Sequence, residues 1–367
     1  MRVLVLLTDA YGSLGGIAQY NRNLLRALCS YPEVSEVVAV PRLQPAATGP
    51  LPPKLTYAVD GLNSKLRYME TVWKVNRSNG KFSLAVIAHL NLLPLVKLLN
   101  SHKGAPIWLQ LHGLEAWSPR NRFYRHCLNR VYTSVSVSQF TKGRFCEWSG
   151  FPSEKVAILP NSVDLSRFTP GPKNAELMRK YGLEGRTVLM SFGRLETTER
   201  AKGFDEVMQV LPDLLRQLPN LTYVICGDGS DQPRLEQKAR ALKIEKQVIF
   251  TGRVCECEKV DHYRLADAYV MPSRAEGFGI VFLEAMACGI PVVASKIDGS
   301  REAVRDPAWG VLVDPDNSPE LMRGIMEALR RPRREQPEGL ECFSDSSFEQ
   351  RVHQLVRAMV EVRREHA

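Results

Sequence analysis

The stretch "AYVMPSRAEGFGIVFLEAMACGIPVVAS", residues 268–295, decides how the chain folds. It opens on a strand-sized run, "AYVMPS", turns through glycine, continues as a helix, and closes on a second strand-sized run, "PVVAS". Strand, helix and strand in that order form the crossover unit of a parallel sheet. The same stretch poses a chemical question. Glu276 and Glu284 lie eight positions apart in a segment otherwise apolar enough to be buried. Ionised carboxylates are costly to desolvate without a partner, so a cation or a hydroxyl must meet each of them.

Outward from this unit the pattern repeats. The first half offers the strand candidates "RVLVLLT", "EVVAV", "LTYAV", "SLAVIAHL", "PIWLQLH", "TSVSVS" and "VAILPN". Between several of them lie helical stretches such as "IAQYNRNLLRAL", whose apolar residues recur at three- and four-residue steps. Near-continuous Val/Ile/Leu strands alternating with helices indicate parallel sheets covered on both faces. The pattern breaks at "NSVDLSRFTPGPKNAE" (161–176), which is rich in Pro, Asn and Ser and reads as an interdomain linker. It restarts with "TVLMSFG", "LTYVICGDG", "VIFTGR", "AYVMPS", "PVVAS" and "GVLVDP", and "DSSFEQRVHQLVRAMVEVRREHA" reads as one final amphipathic helix. A chain of 367 residues is too long for one comfortable core. The expectation is two doubly wound α/β domains facing a central cleft.

Hydrophobic content of 44% and charged content of 24% are those of a soluble globular protein. No run reaches the length of a membrane span. The strand directly after Met1-Arg2 leaves no room for a signal peptide, so a cytoplasmic location is expected. The eight cysteines show neither disulfide-framework nor zinc spacing and read as free thiols, Cys255 and Cys257 included. A net charge of +9 favours polyanionic partners: phosphorylated ligands, anionic lipid surfaces or nucleic acid. The local run Arg330, Arg331, Arg333 and Arg334 lies in a Pro-broken segment and reads as a solvated linker.

Doubly wound sheets bind ligands beyond the carboxyl ends of their strands. Glycines and unusual polar residues gather there: Gly12, Gly15 and Gly16, His112 and Gly113, Asn161, Gly193 and Arg194, Gly252 and Arg253, and Glu276 through Gly279. In "SFGRLETTERAKGFD" (191–205), Arg194 and Lys202 suit a diphosphate, one as a planar fork of donors and the other as a point charge. Gly277 and Gly279 sit at the mouth of the helix carrying Glu284, where backbone N–H groups can approach phosphate oxygens. An ionised carboxylate only accepts hydrogen bonds, and vicinal sugar hydroxyls donate them. Glu276 and Glu284 therefore suit a hexose and a ribose, the alternative being a pairing of one of them with Arg274 or Arg301. His112 is either a hydrogen-bonded core residue or a catalyst. Asp164 in "NSVD" suits a turn.

The E-x7-E spacing, the "AEGFG" entry, the "ACGIPVVAS" exit and the R-x7-K-G block together resemble the retaining glycosyltransferases of family four. The resemblance spans nearly the whole chain, most strongly 187–315, and includes "GSLGGIAQYNRNLLRAL", "LHGLE", "VSVSQFTKGRF" and "LPNSVDLSRF". It implies the GT-B fold, two Rossmann-like domains: an acceptor-side domain over 1–168 joined by the helix 346–367 crossing back to it, and a nucleotide-sugar domain over 169–345. It implies that Glu284 holds the ribose, and that Glu276 with the backbone of Phe278, Gly279 and Ile280 lines the donor sugar and diphosphate. Arg194 and Lys202 would neutralise the leaving diphosphate, with the Gly16 backbone approaching it. His112 would sit by the reacting sugar, and the backbone around Arg253 and Val254 would meet the base. The implied donor is a UDP- or GDP-linked hexose, with no further cofactor and no metal. The implied acceptor is a lipid-linked or polysaccharide glycan, as in lipopolysaccharide or exopolysaccharide assembly.

Asp314-Pro315-Asp316 spells DxD, a metal-binding spacing in a different glycosyltransferase fold, but between "GVLV" and "NSPELMRGIMEAL" it reads as turn and helix-start chemistry. "GSLGG" is neither a Walker loop nor a GxGxxG. Two rivals remain: a nucleotide-sugar 2-epimerase, and a basic nucleic-acid-binding protein, which lacks an RNP, KH or helix-turn-helix signature. Residues 118–132, "SPRNRFYRHCLNRVY", interleave Arg120, Arg122, Arg125 and Arg130 with Phe123, Tyr124 and Tyr132. As a helix they would suit anionic headgroups, which makes an anionic membrane surface a further partner and a peripheral place at the inner face of the membrane an expectation.

Overall fold

The computed structural model describes residues 1–12, 15–44, 49–78, 81–99, 105–305, 307, 309–333 and 336–365. Arg334 of the basic run and Ser13 and Leu14 of "GSLGG" lie outside the described residues. The chain divides into two compact units: Met1–Ser162 together with the helix Asp345–Glu365, and Val163–Ser344. The boundary at Ser162 falls inside the Pro/Asn/Ser-rich stretch, and Val163 and Ser344 pair as a single parallel bridge within the second unit.

The first unit carries the strands β1 (Arg2–Leu7), β2 (Glu36–Pro41), β3 (Leu55–Tyr57), β4 (Leu84–Ile87), β5 (Ile107–Leu111), β6 (Thr133–Ser136) and β7 (Val156–Ile158). All pair in parallel, in the order β3-β2-β1-β4-β5-β6-β7. β4 and β5 are buried at every position. Two covered faces explain why "LAVI" and "IWLQL" show no alternation with polar residues. The helices α1 (Gly16–Ser30) and α2 (Lys65–Ser78) follow β1 and β3.

Helix Asp345–Glu365 belongs to this unit because it buries Phe348, Val352, Val356 and Met359 there. Phe348 meets the Tyr20 ring of α1 edge-on, with centroids 5.3 Å apart. A polar clasp fixes the register. Asn23 Nδ2 donates to Ser162 Oγ (2.8 Å) and to Asp345 Oδ1 (3.1 Å), and Ser162 Oγ donates to Asp345 Oδ1 (2.7 Å). Asn23 and Ser162 are both buried, so these bonds are costly to leave unmade.

The second unit carries β8 (Thr187–Phe192), β9 (Leu221–Cys226), β10 (Val248–Gly252), β11 (Ala268–Met271), β12 (Val292–Ser295) and β13 (Gly310–Val313), in the order β10-β9-β8-β11-β12-β13. Each unit is thus the expected doubly wound, Rossmann-like sheet. One reading needs correction: Cys255 and Cys257, taken as free thiols, are paired with each other.

An ion cluster ties the helix Phe204–Gln217 to the helix Gln232–Ala241. Arg234 grips Asp205 with two bonds, Nη1 to Oδ1 (2.8 Å) and Nη2 to Oδ2 (2.7 Å), while Lys238 Nζ donates to Asp205 Oδ1 (2.8 Å). Burial alone would raise the Asp205 carboxyl, but the bonds and charges of Arg234 and Lys238 outweigh it and hold the group at about 2. A depressed carboxylate stabilises the fold above its unfolded value and loses that contribution as pH falls through the folded one. Asp205→Asn is expected to cost the second unit about 1–2 kcal/mol at neutral pH. Urea titrations of variant and wild type should converge between pH 4 and pH 2, where the wild type loses the same charge; a gap unchanged at pH 2 would count against this account.

Candidate active site

In the second unit the strand order reverses between β8 and β11, which pair at Ala268↔Leu189 and Tyr269↔Met190. Chain leaving the two strands must diverge there, opening a crevice at their carboxyl ends. β8 delivers Gly193 and Arg194 to it, and β11 delivers the loop with Glu276.

The loop cations do meet, and their mutual partner is a residue the sequence reading missed. Glu199 binds the Arg194 guanidinium through Oε1 and Lys202 Nζ through Oε2 at 3.4 Å. Lys202 Nζ also lies 4.0 Å from Glu276 Oε2. Lys202, expected at a helix start, ends a 3-10 turn (Arg200–Lys202) just ahead of the helix Phe204–Gln217. Arg194 is 66% exposed and can turn toward a ligand, whereas Lys202, at 22%, is held.

Glu276 owes its place to a second missed residue. Its N–H donates to Oδ2 of Asp298 (2.8 Å), and its carbonyl accepts from Gly299 N–H (2.9 Å). Asp298 is fully buried, and its other oxygen accepts from Ser300 N–H (3.0 Å) and Oγ (2.6 Å). Burial pushes its carboxyl up to about 6, against the pull of those hydrogen bonds. Gly299 permits the clamp: a Cβ there would fall 2.1 Å from the Gly277 carbonyl. Gly279 caps the helix Ile280–Ala287 at φ 88°, a left-handed conformation in which glycine carries no penalty. Phe278 is buried against Phe343, so only its backbone is available to a ligand; Ile280 is half-buried.

Glu284, 4% exposed in the second turn of that helix, has its answer inside the protein. Lys259 Nζ donates to Oε1 (2.6 Å) and Tyr263 Oη to Oε2 (2.7 Å). The sequence reading weighed Arg274 or Arg301 as the internal partner of one of the two glutamates. Arg274 is engaged instead by Glu206 and by Asp316 (2.6 Å). Lys259 and Tyr263 stand four apart on the helix Lys259–Leu265, hence on one face. The Lys259 ammonium also lies 5.6 Å from the Phe192 ring and 5.9 Å from the Phe168 ring. At the end of β10, Arg253 is exposed and Val254 half-buried.

Asp314 and Asp316 are spent on structure. Asp314 accepts from the Asp316 N–H (3.0 Å) and lies 3.7 Å from Lys296. No group of three or more His, Cys, Asp or Glu among the described residues could hold a metal ion. Asp164 closes a turn, accepting from Ser166 and Arg167 N–H.

The first unit holds the other two candidates, at its own strand ends. Gly16 is the exposed first residue of α1. His112 follows β5; its Nε2 lies 2.9 Å from the Ala88 carbonyl, its ring meets Tyr20 edge-on at 5.0 Å, and its N–H donates to Glu115 Oε1 (2.6 Å). Burial lowers the His112 imidazole from its ordinary value, and burial pushes the neighbouring His89 down to about 4. Burial thus favours the neutral form of both rings. The stretch 118–132 is not one helix: it is helical only over Arg122–Leu128, with Phe123, Arg122 and Arg125 exposed. Arg120 and Arg130 donate instead to the Glu115 (2.8 Å) and Val96 (3.0 Å) carbonyls.

Removing one member of a buried ion pair strands the other. Lys259→Met is expected to destabilise the second unit by about 3 kcal/mol, and adding Glu284→Gln should restore most of that loss in chemical denaturation. Equal stability of Lys259→Met and wild type would show that the pair bears no such load.

Comparison with known proteins covers both units. Residues 14–167 match the family model described as Glycosyltransferase Family 4, and residues 173–340 match Glycosyl transferases group 1. A GDP-mannose-dependent alpha-(1-6)-phosphatidylinositol monomannoside mannosyltransferase of Mycolicibacterium smegmatis is 33% identical over 279 residues, 72% of this chain and 69% of that protein. Among solved structures, the sucrose-phosphate synthase of Thermosynechococcus elongatus superposes with a TM-score of 0.79 at 20% identity, covering 99% of this chain and 100% of that one. The Anabaena HepE protein in complex with UDP and glucose gives 0.75 at 20% identity, covering 98% and 100%. With two parallel doubly wound sheets, the E-x7-E helix at a topological switch point and a relative of this extent, the chain belongs to the family-four glycosyltransferases of the GT-B fold.

Proposed function

We propose that this glycosyltransferase moves a hexose from a nucleoside-diphosphate sugar to a hydroxyl of a membrane glycolipid, with retention at the anomeric carbon and without a metal. The observation that carries the reading is the convergence of Arg194, Lys202 and Glu276 at the β8/β11 crevice, with glycine-lined backbone beside them. The donor diphosphate displaces Glu199 as the partner of Arg194 and Lys202, which stabilise the charge that grows on the leaving phosphate. Glu276 accepts from the hexose hydroxyls and Glu284 from the ribose, Lys259 and Tyr263 keeping its carboxylate in place. The bases of UDP and GDP are both accommodated in this reading by backbone around Arg253 and Val254. Within the first unit, His112 and the Gly16 backbone are the candidates that the family resemblance offers.

The bond from the anomeric carbon to the diphosphate breaks, and the acceptor oxygen bonds to the same face. The acceptor's proton passes to the departing phosphate oxygen. The acceptor class is argued from the mycobacterial relative, whose name specifies a phosphatidylinositol monomannoside and a GDP-mannose donor. No helix among the described residues is long and apolar enough to cross a membrane. In this reading the lipid acceptor is met by peripheral association at the inner, cytoplasmic face.

Thermal stabilisation across nucleotide sugars tests the donor, with GDP-mannose expected to lead and UDP-glucose as the comparison. Transfer to a phosphatidylinositol glycolipid, read by NMR of the anomeric product, tests acceptor and stereochemistry; inversion would overturn the mechanism. Glu284→Ala should weaken donor binding by about tenfold or more, whereas Glu276→Ala should lower kcat by about a hundredfold. EDTA should leave activity in place. Full loss with EDTA and rescue by Mn²⁺ would return Asp314 and Asp316 to the chemistry.

A further inference from the structure

We infer that Cys255 and Cys257 form a reversible thiol–disulfide site whose state sets how tightly the second unit holds its nucleotide donor. The pair lies in the short stretch between β10 and the helix Lys259–Leu265. Arg253 and Val254, read above as the backbone that meets the base, directly precede it. On the other side only Glu258 separates it from Lys259, which donates to Glu284. The bond therefore sits between the segments read as base and ribose contacts, and the inference rests on that reading of the donor.

Both sulfurs can be reached from solvent. Among the described residues, Cys255 and Cys257 are the exposed cysteines; Cys29, Cys127, Cys226 and Cys288 are buried, and Cys146 and Cys342 are half-buried. The two Cα atoms lie 5.3 Å apart, a separation that suits a disulfide. The ring encloses a single residue, Glu256, so it removes little freedom from the unfolded chain and is a poor staple for the fold.

What the ring does restrict is Glu256 and its surroundings. Arg167 donates to the Glu256 carbonyl and to its Oε2 (3.3 Å), and Lys259 Nζ lies 3.8 Å from its Oε1. Closed, the ring presents Glu256 to both cations and limits the span between Val254 and Lys259. Open, it returns rotational freedom to residues 255–257, and a nucleotide must order them as it binds.

The exchange balances with a small dithiol and a small disulfide as co-reactants. A thiolate of the dithiol attacks Cys257 Sγ, the Cys255–Cys257 bond breaks, and Cys255 leaves as a thiolate. The Cys257 N–H donates to Cys255 Sγ (3.3 Å) and so stabilises the charge which that sulfur acquires. The second thiol of the dithiol then displaces Cys257 from the mixed disulfide. Two electrons and two protons have passed from the dithiol to the pair. Glutathione disulfide reverses the transfer, becoming two thiols as the Cys255–Cys257 bond forms again.

The test uses the full chain, equilibrated with dithiothreitol or with glutathione disulfide. Alkylation and mass spectrometry read the state of Cys255 and Cys257, and calorimetric titration with GDP and with UDP reads the donor site. The pair is expected to close in glutathione disulfide and open in dithiothreitol. Opening should weaken binding of the preferred nucleotide by about threefold to tenfold, while the urea midpoint of the nucleotide-free chain stays where it was. Cys255→Ser/Cys257→Ser should show the weaker binding in both buffers, and Cys342→Ser should respond as the wild type does. Failure of the pair to close in glutathione disulfide would overturn the inference. So would a response to dithiothreitol that survives in Cys255→Ser/Cys257→Ser, or a urea midpoint that falls on reduction, which would make the bond a staple of the fold. Equal nucleotide affinity of the open and closed forms would overturn the inference and leave the donor reading standing. Binding of neither nucleotide by either form would bring down the donor reading and this inference with it.

Discussion

The parallel pairing of β8 with β11 is the constraint on which the second unit's chemistry depends. β9 and β10 extend the sheet to one side of β8, and β12 and β13 extend it to the other side of β11. A right-handed crossover places successive helices on opposite faces when the strand order reverses. The loops leaving these two strands are thereby forced apart, and neither can cover the other. A gap is made at the sheet's edge without any side chain being removed from the core, and the loops that flank it carry Arg194, Lys202 and Glu276.

Three carboxylates near this gap show three ways of carrying negative charge in a folded chain. Glu284 is buried and answered by a cation and a hydroxyl from one helix face. Asp298 is buried with neutral donors only, and its affinity for a proton rises accordingly. Glu199 stays partly in water and answers two cations at once. Asp298 is a support; in the proposed reading Glu284 also meets the ribose, and Glu199 is the placeholder that the donor diphosphate displaces. Their different exposures, not their shared chemistry, separate these roles.

The architecture was legible because parallel sheets write themselves into sequence as continuous apolar runs. Each of the expected runs, from "RVLVLL" in β1 to "GVLV" in β13, became a strand. Arg194 with Lys202, and Glu276 with Glu284, were legible as candidates through spacing within two separate segments. Their partners were not. Lys259 lies 25 positions from Glu284 and Asp298 lies 22 from Glu276, and only the packing of separate crossover units brings them together. A clue to Lys259 and Tyr263 existed in their four-residue spacing, but nothing local tied that face to Glu284. Residues 118–132 depart from the single helix expected of them for a related reason: two of the four arginines read as facing headgroups close backbone carbonyls contributed by other elements.

The clasp of Asn23, Ser162 and Asp345 has a consequence for how the molecule comes into being. Asn23 and Asp345 are 322 positions apart, so the first unit closes over a contact that spans almost everything between them. The second unit needs no such loop, since its residues are consecutive. During synthesis the earlier-made residues 1–162 must wait for the helix Asp345–Glu365, while residues 163–344 can complete their own core first. Order of emergence from the ribosome and order of completion are therefore opposite. In the interval the face of α1 that later meets Phe348 and His353 stands uncovered, and nascent chains are most exposed there to chaperones and to misassembly.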